Sequence, residues 1–288
     1  MDYIIVLILQ VLYSVASLAL VCAGLAVVFG MMRVINLAHG EFIMLGGFTT
    51  VLSANAGVPL MIAILVIAPL AVGIAGYLIE RLVVRHLYGR MVDTMLATWG
   101  LSLLLVGLAT MVFGNQVAGV AAPFGSVTIG AYGVSLYDVF VIGITIAVLV
   151  ASYFVLAHTN LGLIARGAMQ NPEMASSLGA SPARIYSVTF TAGAALSGLA
   201  GGILAPLSGV VPTMGAAFVA KAFITVITGG ASILTGTITA SGILGGISTL
   251  TTFAINPVIG DVALLLTAII LLRFLPYGIT GRFFRGAN

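Results

Sequence analysis

Charge is what this chain has least of: charged residues make up 6% of its 288 residues, against about 25% in ordinary soluble domains, while 61% are hydrophobic. That balance excludes a soluble fold. The single cysteine, Cys22, excludes an intramolecular disulfide and a multi-cysteine metal site. The single lysine lies in Val219-Ala220-Lys221-Ala222, and no stretch matches G-x-x-x-x-G-K-[ST], so the chain has no P-loop with which to hold ATP. Its three histidines, His39, His86 and His158, are scattered and have no acidic partner at i+3 or i+4, which argues against a metal centre. No nucleophile with a base beside it is evident, and a lone aspartate such as Asp261 cannot share a proton as a protease dyad does. The reading is therefore of no catalytic residues, no metal and no cofactor. The net charge of +3 comes from ten basic residues spread along an apolar chain, which speaks for membrane topology and against nucleic-acid binding.

What is present is long apolar sequence. Uncharged runs cover residues 3–32, 42–79, 94–137, 139–165, 185–220, 222–260 and 262–272, and several are long enough for two crossings at about 20 residues each. Stretches such as 62–79 are apolar on every face, which fits helices and not the alternating strands of a membrane barrel. The expectation is an all-α polytopic bundle forming one membrane domain over 1–288, with eight or nine spans near 4–29, 36–52, 60–79, 94–113, 138–156, 185–204, 218–233, 238–253 and 262–275. The first lacks a basic flank and is longer than a signal-peptide core, so it reads as a retained span. Nine alternating passes with the N-terminus outside put Arg33, Arg81, Arg85, Arg90, Arg166, Arg184, Arg273, Arg282 and Arg285 on the cytoplasmic side, as the positive-inside rule requires. Lys221 is the exception and is expected to snorkel.

Two connections are long. Residues 114–137 are glycine-rich and uncharged, and read as an extracytoplasmic cap or partial re-entrant hairpin. Residues 158–184 are the most polar part of the chain, where Pro172 can open a short surface helix that needs a partner. Small residues recur every fourth position at Gly193, Ser197 and Gly201, beside Ala194, Gly198 and Gly202, and again at Gly242 and Gly246, a pattern for close helix packing.

Ionisable groups are nearly missing from the predicted spans, where an ion-coupled carrier would place them. Asp138 and Asp261 fall at predicted span starts and suit helix N-termini. Glu41, within Asn36-Leu37-Ala38-His39-Gly40-Glu41-Phe42, has two readings. It is either a carboxylate in the first turns of the second span, satisfied by the dipole and by Arg33 or His39, or a polar element at the inner mouth of a pore, with Gly40 allowing a kink or close approach.

Those residues carry a family likeness. Ile35-Asn36-Leu37-Ala38-His39-Gly40-Glu41-Phe42-Ile43-Met44-Leu45-Gly46 closely resembles the signature of the branched-chain amino acid ABC permeases, and the likeness extends over nearly the whole chain. Leu161-Gly162-Leu163-Ile164-Ala165-Arg166-Gly167-Ala168 and the stretch 171–179 resemble the ATPase-docking region, with Glu173, Ala175 and Gly179 keeping an E-x-A-x-x-x-G spacing.

The resemblance implies an ABC-importer permease of a bacterial inner membrane. Such a subunit pairs with a second permease, rests on two cytoplasmic ATPase subunits, receives solute from an extracytoplasmic solute-binding protein and is surrounded by membrane lipid. It further implies that Gly162, Arg166, Asn171, Glu173, Ala175 and Gly179 contact the ATPase, and that Asn36, His39, Gly40, Glu41 and Trp99 are pore or gate candidates. Leu87-Tyr88-Gly89-Arg90, Thr94 to Ser102 and Phe113-Gly114-Asn115-Gln116 look more like the urea and short-amide branch, so the solute stays open between that class and branched-chain amino acids. An ion-coupled secondary transporter and a passive channel are the rivals from other classes.

Overall fold

The computed structural model describes residues 2–130, 132–230 and 232–281. Eleven helices follow in order: α1 (Asp2–Met32), α2 (His39–Asn55), α3 (Leu60–Leu82), α4 (Met91–Phe113), α5 (Leu136–His158), α6 (Asn160–Gln170), α7 (Pro172–Ser177), α8 (Pro182–Ser208), α9 (Met214–Gly229), α10 (Ile233–Ala254) and α11 (Pro257–Phe274). Seven of them, α1, α3, α4, α5, α8, α10 and α11, are long and apolar enough to cross a membrane. The expected second and seventh spans are the shorter helices α2 and α9, of 17 and 16 residues. At 1.5 Å per residue these reach roughly 24–26 Å, less than the hydrocarbon thickness of about 30 Å. Arg282 and Arg285 lie outside the described residues.

The connection after α4 departs from a purely helical reading. Ser126–Ile129 and Tyr132–Ser135 form a two-stranded antiparallel ladder, β1 and β2, with Val127 opposite Val134. Short β-branched and aromatic stretches between glycines favour this over a helix.

The chain divides into two compact units: residues 23–120 with 150–219, and residues 2–22 with 121–149 and 220–281. In the first unit α8 is the central helix, two-thirds buried across its apolar window, against about a tenth for α4. Its small residues explain this. A β-carbon on Gly193 would lie 2.8 Å from the Gly24 carbonyl oxygen of α1, and one on Gly198 would lie 2.6 Å from Val72 Cβ of α3. From α2, a β-carbon on Gly46 would lie 2.6 Å from Gly198 Cα, and one on Gly201 would strike the Ile43 carbonyl. Backbone thus meets backbone at these crossings, the arrangement that small residues permit in membranes.

The break between α1 and α2 is built locally and then fixed from a distance. Arg33 takes a left-handed backbone, φ 52°, and ends α1. Asn36 Oδ1 accepts from Ala38 N at 3.1 Å, and the Thr98 hydroxyl of α4 accepts from Leu37 N at 3.1 Å. The segment therefore has partners for its backbone without being helical.

A polar cluster lies at the far end of α3. Glu80 is fully buried, accepts from Tyr88 Oη and accepts from Ser187 Oγ at 2.7 Å. Burial first, and then the adjacent Glu80 carboxylate, push the Tyr88 phenol above its ordinary range, so it remains a neutral donor.

In the second unit Leu244, Leu264 and Ala268 form a core between α10 and α11, with Leu18, Ile224 and Leu271 against it. Gly260 of α11 rides on Thr252 and the Ser248 carbonyl, 2.7 Å from a built β-carbon. Beyond α9, Gly230 has φ 85° and packs on Gly278, while Ile279 N donates to Thr228 O at 2.8 Å.

Two consequences are measurable by thermal melting in detergent. Gly201→Ala should destabilise the protein by roughly 1–3 kcal/mol, because its methyl meets backbone that cannot rotate away. Gly242→Ala, where a β-carbon meets nothing within 4 Å, should be close to silent. Glu80→Ala should cost roughly 1–3 kcal/mol by leaving two hydroxyls without their acceptor, and Glu80→Gln should cost less. Equal melting of Gly201→Ala and Gly242→Ala would refute the packing account.

Candidate functional site

The polar connection folds into a helical hook. Thr159 caps α6 by accepting from Gly162 N at 3.2 Å, and its own hydroxyl donates to Val155 O at 2.6 Å. A β-carbon on Gly162 would lie 2.6 Å from that same Val155 oxygen, so only glycine lets α6 fold back onto the end of α5. The Arg166 guanidinium then donates to Leu156 O, occupying a carbonyl at the C-terminus of α5. Gly162, Ala165 and Ala168 form the buried stripe of α6 at helical spacing.

The next turn is also set by caps. Asn171 Oδ1 accepts from Met174 N at 2.9 Å, and Pro172 occupies the first turn of α7, where its missing N–H costs nothing. Glu173 sits in that first turn and is exposed, while Ala175 is buried. Gly179 adopts φ 86°, and its N–H donates to Ser176 O at 2.9 Å while Ala180 N donates to Ala175 O at 3.0 Å. This left-handed stop favours glycine. The six residues marked from sequence are thus parts of one hook, with Gly162 and Arg166 anchoring it and Asn171 and Gly179 shaping α7.

The outer face of the hook is apolar. Leu163 is 62% exposed and Leu178 81%, and together with Ile164, Gly167 and Met174 they line a groove of about 540 Å³ between α6 and α7. A second groove of about 340 Å³, lined by Val27, Met31, Leu161, Val188 and Arg184 among others, lies between the hook and α1 and α8.

The residues around the start of α2 form a different, closed environment. Asn36, His39 and Glu41 are each only 2% exposed. His39 Nδ1 lies 3.1 Å from Ser197 Oγ, which also donates to Gly193 O at 2.8 Å. Gly40 abuts the Gly215 carbonyl at the start of α9, two helix beginnings in backbone contact. Glu41 Oε2 is buried with no hydrogen-bond partner among the described residues. Trp99 does not join this group: it is 55% exposed, while its neighbour Thr98 is fully buried against the α1–α2 break. Thr98 escapes a reading of the sequence because one threonine in an apolar helix carries no pattern of its own.

Of the small-residue positions, Gly193, Ser197, Gly198 and Gly201 stand at interhelical contacts of α8. Gly242 and Gly246 face open space, and α10 instead meets α1 through Gly245, whose built β-carbon is 3.1 Å from Val15 Cα. Asp138, in the first turn of α5, accepts from Gln10 Nε2 at 3.4 Å. Asp261 does not cap α11. Asn256 does so, its Oδ1 accepting from Ile259 N at 2.9 Å, whereas Asp261 binds Lys221 Nζ at 2.8 Å. Among the described residues no group of three or more His, Cys, Asp or Glu side chains is placed to hold a metal.

Comparison with known proteins agrees with this architecture. Residues 7–275 match the family described as branched-chain amino acid transport system, permease component. The high-affinity branched-chain amino acid transport permease LivH of Escherichia coli K12 is 25% identical over 283 residues, covering 93% of this chain and 92% of that protein. A probable LivH of Methanocaldococcus jannaschii is 28% identical, covering 92% and 88%, and BraD of Pseudomonas aeruginosa is 27% identical, covering 93% and 92%. No solved structure matches. With a family match across nearly its full length and seven membrane-length helices, the chain is a multi-pass inner-membrane transport subunit, not an enzyme, and belongs to the branched-chain amino acid transport permease family.

Proposed function

We propose that this chain is one of two permease subunits of an ATP-driven importer for branched-chain amino acids, receiving solute from an extracytoplasmic binding protein and driven by two cytoplasmic ATPase subunits. The observation that carries this reading is the hook of α6 and α7, whose rigid anchoring contrasts with its exposed apolar face. An apolar surface of this kind on a polar connection calls for a protein partner. Arg166 and Gly162 tie the hook to the end of α5, so a push on α7 is delivered to membrane helices instead of being lost in a flexible loop. Gly162, Arg166, Asn171, Glu173, Ala175 and Gly179 are the docking residues in this account.

Asn36, His39, Gly40 and Glu41 are assigned to the gate rather than to an open pore wall, since they are shut inside one unit. Movement of α2 against α8 would expose them. Trp99 is left to a partner-facing or lipid-facing surface. The unpaired Glu41 oxygen supports a second reading, an ion-coupled carrier that protonates Glu41, because a buried carboxylate oxygen with no partner is costly unless a proton or cation reaches it.

Uptake by vesicles containing the full set of subunits separates the readings. Leucine uptake should require ATP and persist when proton and sodium gradients are collapsed; uptake by this chain alone under an ion gradient would overturn the proposal. Competition by urea or a short amide in place of leucine, for the binding protein as well as the transporter, would move the solute class.

Gly179→Leu, which forces a side chain into left-handed backbone at a cost of about 1–2 kcal/mol, should leave membrane insertion intact and uncouple ATP hydrolysis from uptake. Unchanged coupling would remove α7 from the docking site. Glu41→Gln should slow uptake if the gate must open around this side chain, and full activity in that variant would make Glu41 a structural residue.

A further inference from the structure

Between Arg184 and Arg273 the chain carries only two charged residues, Lys221 and Asp261, and the fold brings them together. Nζ and Oδ1 are 2.8 Å apart, yet the side chains remain 36% and 53% exposed. Lys221 stands halfway along the 16 residues of α9, and Asp261 is a full turn inside the 18 residues of α11. Both helices are apolar, so the pair stands within apolar helical sequence and not in a loop. A charged side chain at the centre of a membrane-spanning helix costs about 2.5–3.5 kcal/mol on the insertion scale, and ionisable residues within spans almost always face a bundle interior or a water-filled cavity. Each also has its alternative role filled: Asn256 caps α11, and the buried face of α11 is made by Gly260, Leu264 and Ala268.

We propose that Lys221 and Asp261 form a solute site that recognises the zwitterionic end of an amino acid. This deepens the importer reading and rests on it. The ion pair opens, Lys221 takes the α-carboxylate and Asp261 the α-ammonium, so neither protein charge nor solute charge crosses unpaired. The long lysine stem permits that opening. Val258 and Leu265, each about one turn from Asp261 on α11 and both exposed, flank it with apolar surface that suits a branched side chain. A neutral amide or urea has no use for two full opposite charges, so the pair favours the amino-acid class.

Two measurements test this. In vesicles holding the complete transporter, K221Q and D261N should each lower ATP-driven leucine uptake by about tenfold or more, mainly through KM, with melting temperature and complex assembly retained. Wild-type leucine uptake by the K221Q/D261N double variant would overturn the site. Independently of uptake, Val258→Cys in a Cys22→Ala background should react with a membrane-impermeant thiol reagent. Cys22 itself is fully buried. Leucine should slow that reaction, and should fail to do so once K221Q/D261N is added. No reaction from water, or no protection by leucine, would place the pair against lipid or another subunit and refute the proposal. Failure of ATP-driven uptake in the wild type counts against the importer reading, while the labelling result still decides the pair.

Discussion

The first unit depends on how closely α8 can approach its neighbours. In lipid there is no gain from moving an apolar side chain out of water, so helices hold together through dispersion and through polar contacts in a dry space. Dispersion falls steeply with distance, and a gap of under an ångström forfeits much of it. The small residues of α8 remove that gap on several sides at once. Gly193 serves α1, Ala194 meets Gly76 of α3, Gly198 is shared between α2 and α3, and Gly201 seats against Ile43. Ser197 adds a polar contact in the same stripe, to His39 at the start of α2. A single helix can be central here because its stripes of small residues lie side by side around its circumference.

That arrangement was largely legible in the sequence, since a recurrence every fourth residue is a local pattern. Where helices stop was less so. Asn36, Leu37 and Ala38 are compatible with helix when read alone, and the second span was expected to begin at Asn36. It begins at His39 because the Thr98 hydroxyl, about sixty positions away, accepts from the backbone at Leu37. The expected 218–233 span is shifted toward its N-terminus for a similar reason: Gly230 turns left-handed where residues 278–280 pack against it. Expected span starts at 138, 185 and 262 were late by two to five residues; Pro182 opens α8 and the Asn256 cap with Pro257 opens α11 ahead of their strictly apolar runs.

Of the hook, the short helix opened by Pro172 was expected and the helix over 160–170 was not. Its caps are short-range: Thr159 acts over three residues, Asn171 over three, and Gly179 ends the helix immediately before it. What no local pattern announces is the tie from Arg166 to the Leu156 carbonyl at the end of α5. α7, at six residues, would be marginal in isolation, so its shape comes from Asn171, Pro172 and Gly179 and from burial of Ala175.

The scarcity of charge makes the few charges informative in three separate ways. Glu80, beside Arg81 in the sequence, is completely buried, and each of its oxygens accepts from a hydroxyl, which suits a structural role. Glu41 is nearly as buried but leaves one oxygen without a partner among the described residues. Lys221 and Asp261 are paired yet partly exposed. Burial with both oxygens partnered, burial with one left over, and pairing with exposure distinguish Glu80, Glu41 and the Lys221–Asp261 pair. Only the geometry separates them, because in the sequence each is simply a charged residue in or beside an apolar run.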